Sequence, residues 1–130
     1  MIVRKVDENV TQSDYEYAVI NHNRYDIVIS VAKEHNHNWN TLYIPQVDLQ
    51  YIDTANFIAV VNAIGNAIKQ GKRVLLYCNA GMSRSVTYAI AYLLKKGYDV
   101  NSAKRKLGVD YNLHPDMERS LRDFALRITR

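Results

Sequence analysis

Between Tyr25 and Ala32 (YDIVISVA), and again between Arg73 and Tyr77 (RVLLY), the chain is almost continuously apolar. Runs this short do not alternate as a strand with one wet face would. They suit strands buried on both sides, as in parallel sheets covered by helices. The segments around them carry helical spacing. Over 54–70, Phe57, Val60, Val61, Ile64 and Ile68 share one face, and Gly71 follows as a terminator. Residues 85–96 read as a helix with Lys95 and Lys96 in its last turn, where cations suit the negative end of the dipole. A short helix at 101–107 ends at Gly108. The last one opens at Pro115 and carries the stripe Met117, Leu121, Phe124, Ala125 and Ile128. Residues 1–6 read as an edge strand, 11–22 as a weak helix capped by Ser13, and 41–45 (TLYIP) as a strand stopped by Pro45. The expected fold is α/β: a central, mainly parallel twisted sheet of about four to five strands flanked by helices, in one domain over 1–130.

The strand at 73–77 runs directly into Cys78-Asn79-Ala80-Gly81-Met82-Ser83-Arg84, and a helix starts at Ser85. In open α/β sheets ligands bind beyond the carboxyl ends of strands. A tight loop in that place turns its backbone N–H groups inward as a nest, and the helix N-terminus adds positive potential, so the geometry suits an anion. Gly81 can adopt angles closed to other residues. Arg84 offers a planar fork matched to phosphate oxygens. Amides, dipole and arginine all favour the thiolate of Cys78, a strong nucleophile. The Ser85 hydroxyl is within reach of that sulfur by spacing. The backbone from Asn79 through Ala80, Gly81, Met82 and Ser83 to Arg84 is the expected phosphate-binding stretch.

Composition narrows the setting. A net charge of +4 and a pI near 9.2 accommodate an anionic substrate. The densest basic group, Lys104 to Lys106, falls on a predicted helix face, so no nucleic-acid partner is expected. The single cysteine excludes an internal disulfide and fits a reducing compartment. No apolar stretch is long enough for a bilayer and no secretory leader is visible, so a cytoplasmic, monomeric protein without membrane partners is the expectation. The loop His35 to Asn40 (HNHNWN) reads as polar, and its histidines lack cysteine partners, so no metal and no cofactor is expected.

The stretch Val74-Leu-Leu-Tyr-Cys-Asn-Ala-Gly-Met-Ser-Arg-Ser85, followed by Ala91-Tyr-Leu-Leu94, resembles the dual-specificity phosphatases of the cysteine-dependent superfamily. Ile44-Pro45-Gln46-Val47-Asp48 resembles the family's segment bearing the general acid, and Tyr111 to Asp116 resembles the segment before its final helix. The resemblance runs from about Tyr25 to the C-terminus. It implies a metal-independent phosphatase with Cys78 as nucleophile, Arg84 on the phosphate, Asp48 as acid and base, and Ser85 assisting the sulfur. The implied partner is a phosphorylated protein or peptide. A phospho-binding module without turnover, or a phosphatase for phosphoinositides or RNA 5′-phosphates, are the other readings; the loop interior carries no lysine, which argues against the last two. One departure stands out: Tyr77 occupies the position before the cysteine where the family usually has His.

Overall fold

A computed structural model describes residues 1–129. Five strands form one sheet in the order β1-β2-β5-β3-β4: β1 (Val3–Asp7), β2 (Val10–Ser13), β3 (Ile27–Ser30), β4 (Leu42–Tyr43) and β5 (Val74–Tyr77). β5 lies at the centre, parallel to both β2 and β3, and all four of its residues are buried. That is the two-sided burial expected of a short continuous apolar run. Only the β1–β2 pair is antiparallel.

The helices are α1 (Tyr15–Asn21), α2 (Thr54–Lys69), α3 (Arg84–Lys95), α4 (Val100–Leu107) and α5 (Pro115–Ile128). Successive side chains of β5 point to opposite faces. Val74, Leu76 and Cys78 join the larger core with α2, α3 and α5, through Phe57, Ile64, Ile90, Leu93 and Phe124. Leu75 and Tyr77 join a smaller cluster with Ala18 and Val28 under α1. α3 is the central helix, with Arg84 through Leu94 all buried. Gly108 closes α4 in a left-handed conformation at φ 71°, and Pro115 opens α5. Among the described residues, no helix is long and apolar enough to cross a membrane.

The N-terminal third corrects one expectation. Residues 11–22 are not one helix: Val10–Ser13 is a strand, and the helix begins at Tyr15 behind Asp14, which accepts from Tyr17 N. Local propensity yields here to pairing with β5, residue for residue from Val10↔Val74 to Ser13↔Tyr77.

Candidate active site

The loop after β5 is held from outside by its carbonyls. Gly81 O accepts from Arg4 Nη1 at 2.6 Å and from Gln12 Nε2 at 3.1 Å. Met82 O accepts from the Tyr111 hydroxyl at 2.7 Å, and Asn79 O from Tyr15 N at 2.9 Å. With the carbonyls turned outward, no backbone N–H from Asn79 to Arg84 finds a protein acceptor among the described residues. The loop is thus a nest of free donors at the N-terminus of a twelve-residue helix, α3. Gly81 makes the turn at φ +70°, and a Cβ there would stand 2.8 Å from Asp14 N, so no side chain fits.

Cys78 lies at the floor of this loop, buried. Its Sγ is 3.0 Å from Ser85 Oγ. Ser85 is the second residue of α3; the N-cap position belongs to Ser83, whose hydroxyl goes instead to Met117 Sδ at 3.1 Å. The first turn of α3 therefore keeps its N–H groups uncapped by side chains.

Arg84 is buried, and its fork does not point freely into the nest. Nη1 and Nη2 donate to the two oxygens of Glu34 at 2.7 and 2.6 Å, and Nη1 also donates to Gln46 O at 2.9 Å. Nε is buried without an acceptor, 3.9 Å from Asp48 Oδ1. A bidentate pair fixes the guanidinium plane, with Nε left without a protein acceptor. Burial opposes the charge on Arg84, but its hydrogen bonds to Glu34, then the charges of Cys78, Glu34 and Asp48, raise its pKa above the ordinary value.

β4 ends at Tyr43, short of the 41–45 expected from the sequence, and Asp48 follows in the loop beyond Pro45, partly exposed. With Lys33, Glu34, Val47 and Arg84 it lines an open cleft of about 440 Å³. Asp48 Oδ1 accepts from the backbone N of Leu49, at 2.9 Å, and Leu49 takes φ 58°, a left-handed conformation that a leucine rarely adopts. The chain spends strain at the residue next to this carboxylate.

Glu34 escaped sequence reasoning because its tie to Arg84 spans fifty residues. The Arg84 hydrogen bonds, against some burial, hold its carboxyl from the ordinary 4.5 down to about 2. The folded state therefore prefers the carboxylate more than the unfolded chain does. This contribution to stability is complete above about pH 4.5 and is lost as pH falls from there through 2. Glu34→Gln is expected to show a shallower loss of stability over that window, read by urea denaturation at stepped pH. An unchanged slope would mean that Glu34 contributes nothing through its charge.

The segment 35–40 is not a plain polar loop. His35 stacks on Tyr15 with centroids 3.7 Å apart, and His37 stacks on Trp39 at 4.9 Å. His35 Nε2 lies 2.9 Å from Asn79 Oδ1, tying the residue after the cysteine to the neighbouring strand end. Tyr77 points away from the nest: its hydroxyl donates to Asn40 Oδ1 at 2.6 Å, and burial pushes its pKa up to about 12. A contact from His35 thus reaches the loop where the family motif would place a histidine at Tyr77.

Comparison with known proteins identifies the family and the fold. The family profile "Dual specificity phosphatase, catalytic domain" matches residues 9–119. The chain is 31% identical over 104 residues to the putative tyrosine phosphatase 123R of Invertebrate iridescent virus 6, covering 76% of this chain and 72% of that one. It is also 31% identical over 106 residues to tyrosine-protein phosphatase MSG5 of Saccharomyces cerevisiae, covering 72% of this chain but only 22% of the yeast protein. The chain thus spans about a fifth of that relative's length. Among solved structures, human DUSP28 superposes with a TM-score of 0.83 at 18% identity, over 98% of this chain and 95% of that one. A human tyrosine phosphatase-like serine/threonine/tyrosine-interacting protein superposes with a TM-score of 0.80 at 16% identity, over 98% of both chains. At these identities the structural likeness speaks for the fold.

Proposed function

Because the chain belongs to the family of dual specificity phosphatase catalytic domains, we propose that it is a metal-independent protein phosphatase that hydrolyses phosphotyrosine and phosphoserine or phosphothreonine through a phosphocysteine at Cys78. The observation that carries the reading is the set of free donors around the sulfur: the loop amides and the unpartnered Arg84 Nε. A buried donor without an acceptor, as Arg84 Nε is, is costly unless a ligand meets it. A phosphate dianion over Cys78 would meet it together with the loop amides.

The two steps follow from the residues in place. The Cys78 thiolate attacks phosphorus in line, and the P–O bond to the substrate breaks. The departing oxygen keeps the electron pair and takes the proton of Asp48. Water then attacks the phosphocysteine while the Asp48 carboxylate takes its proton. The P–S bond breaks and its pair returns to sulfur, assisted by the Ser85 hydroxyl 3.0 Å away. Charge stabilisation by Arg84 and the amides supplies most of the rate, as is usual for phosphoryl transfer. The open cleft supports a shallow site that admits serine as well as tyrosine phosphates. A single domain acting as a monomer in the cytoplasm is the simplest setting for this reading.

Asp48→Asn tests the acid. It is expected to lose about 10²-fold in kcat on a phosphoserine peptide, whose alkoxide leaves poorly without a proton. The loss on p-nitrophenyl phosphate, measured in EDTA, is expected to be smaller because that leaving group needs little protonation. Equal losses on both substrates would remove Asp48 from the acid role. Wild-type inactivity on every phosphate ester, with phosphopeptide binding intact, would make the chain a binding module. Faster turnover of a phosphoinositide than of any phosphopeptide would move the substrate class.

A further inference from the structure

We propose that Gln12, on β2, is a positioning residue that sets the direction of the Ser85 hydroxyl so that it donates to the Cys78 sulfur. The role in turnover rests on the phosphatase reading above; the hydrogen-bond geometry does not.

Gln12 is fully buried. A buried amide must have its donors and acceptor met, and here they are met asymmetrically. Its Oε1 accepts from Arg4 Nη1 at 2.9 Å. Its Nε2 donates to Gly81 O at 3.1 Å and to Ser85 Oγ at 2.8 Å. The two ends cannot be exchanged. A guanidinium only donates, so the atom facing Arg4 must be the oxygen. The reversed amide would also set a carbonyl oxygen against Gly81 O. Arg4 and Gly81 together therefore fix the amide, and the atom facing Ser85 is a donor.

Ser85 Oγ then accepts from Gln12, and its own hydrogen has two places to go. Ser13 O is 3.5 Å away, at the limit of a hydrogen bond, whereas Cys78 Sγ is 3.0 Å away. The proton goes to the sulfur. The sequence Arg4, Gln12, Ser85, Cys78 is a directed chain of donors that starts at a cation on the edge strand and ends on the nucleophile. Each donation polarises the next. In attack this favours the thiolate over the thiol; in breakdown of the phosphocysteine it favours return of the electron pair to sulfur. Nothing in the residue type marks Gln12 for this. Its partners lie 8, 69 and 73 positions away, and only the β2–β5 pairing brings it under the loop.

The test reads the sulfur directly. Cys78 is the single cysteine in the chain, so its alkylation by iodoacetate can be followed against pH in the wild type, Gln12→Leu, Ser85→Ala and the double variant. The other charged and titratable groups that face the sulfur or its loop, Arg4, His35, Asp48, Arg84 and Tyr111, are unchanged in all four. Gln12→Leu is expected to move the alkylation midpoint upward by about one pH unit, the size of one charge-assisted hydrogen bond. Ser85→Ala is expected to do the same, and the double variant to go no further than Ser85→Ala alone. An unmoved midpoint in folded Gln12→Leu, or shifts that add in the double variant, would overturn the proposal.

Gln12→Glu covers the case in which an apolar residue beside Arg4 prevents folding, because the carboxylate keeps that contact. It accepts from the Ser85 hydroxyl rather than donating to it, so the sulfur loses its donor. Its shift is expected to shrink when Ser85 is alanine. A shift of equal size in both backgrounds would reflect the added charge alone and would also overturn the proposal. Alkylation needs no phosphatase turnover, so a failure of the functional reading leaves this result readable and separate.

Discussion

Cys78→Ser is expected to abolish turnover, by about 10⁵-fold or more, while phosphate binding survives. A dedicated nucleophile acts as a unit with the groups around it, and its removal leaves only the residual effect of charge stabilisation. A serine hydroxyl in the same place is not ionised near neutral pH and does not attack. The amides of 79–84 and the Arg84–Glu34 pair do not depend on the sulfur for their positions: the carbonyls are held by Arg4, Gln12, Tyr111 and Tyr15, and the guanidinium by Glu34 and Gln46. The variant should bind inorganic phosphate or a phosphopeptide at least as well as the wild type, because a neutral hydroxyl replaces an anion beneath the ligand. Calorimetry with each protein, beside a turnover assay, separates the two quantities. Turnover at the wild-type rate would refute the covalent mechanism. Loss of binding together with turnover would mean that the nest is held open by the sulfur and not by its outer ties.

Arg84→Lys is expected to lose about 10³-fold in kcat/KM although the charge is kept. Arginines that stabilise a transferring phosphoryl group are worth this much or more, and lysine cannot reproduce a planar fork. In this protein the fork has two separate jobs. Its Nη atoms meet Glu34 and Gln46, which orients the plane. Its Nε, buried without a protein acceptor, is the donor proposed for the phosphate. A lysine ammonium sits at the end of a flexible stem, so it follows Glu34 or the phosphate but does not hold the geometry between them. Much of the loss should fall on kcat, since donors aimed at the transition state are worth most there. Steady-state kinetics on p-nitrophenyl phosphate resolves the split. Activity within about tenfold of wild type would show that net charge, and not the fork, carries the stabilisation.

The loop itself was readable residue by residue. A strand apolar on both faces, then Cys78 to Arg84 with Gly81 at the turn, then a helix, is local chemistry: side-chain volume, one left-handed glycine and a helix N-terminus. For the same reason α2, α4 and α5 fell within a residue or two of their expected limits, since helical spacing and the glycines at 71 and 108 act over a single turn. Sequence reasoning failed over 11–22, where Gln12 and Ser13 look no more like a strand than a helix. What makes them a strand is β5 beside them.

The chain's own order of residues determined that a cysteine, a nest of amides and an arginine would meet at one strand end, because all three lie within seven consecutive positions. Tertiary structure alone decided how each is held. Glu34 orients Arg84, Gln12 meets Ser85, and His35 meets Asn79. These are contacts between strands and loops far apart in the chain, set by the sheet's pairing and register. A hydrogen bond depends on distance and direction in space, and sequence spacing carries neither beyond a turn or a hairpin.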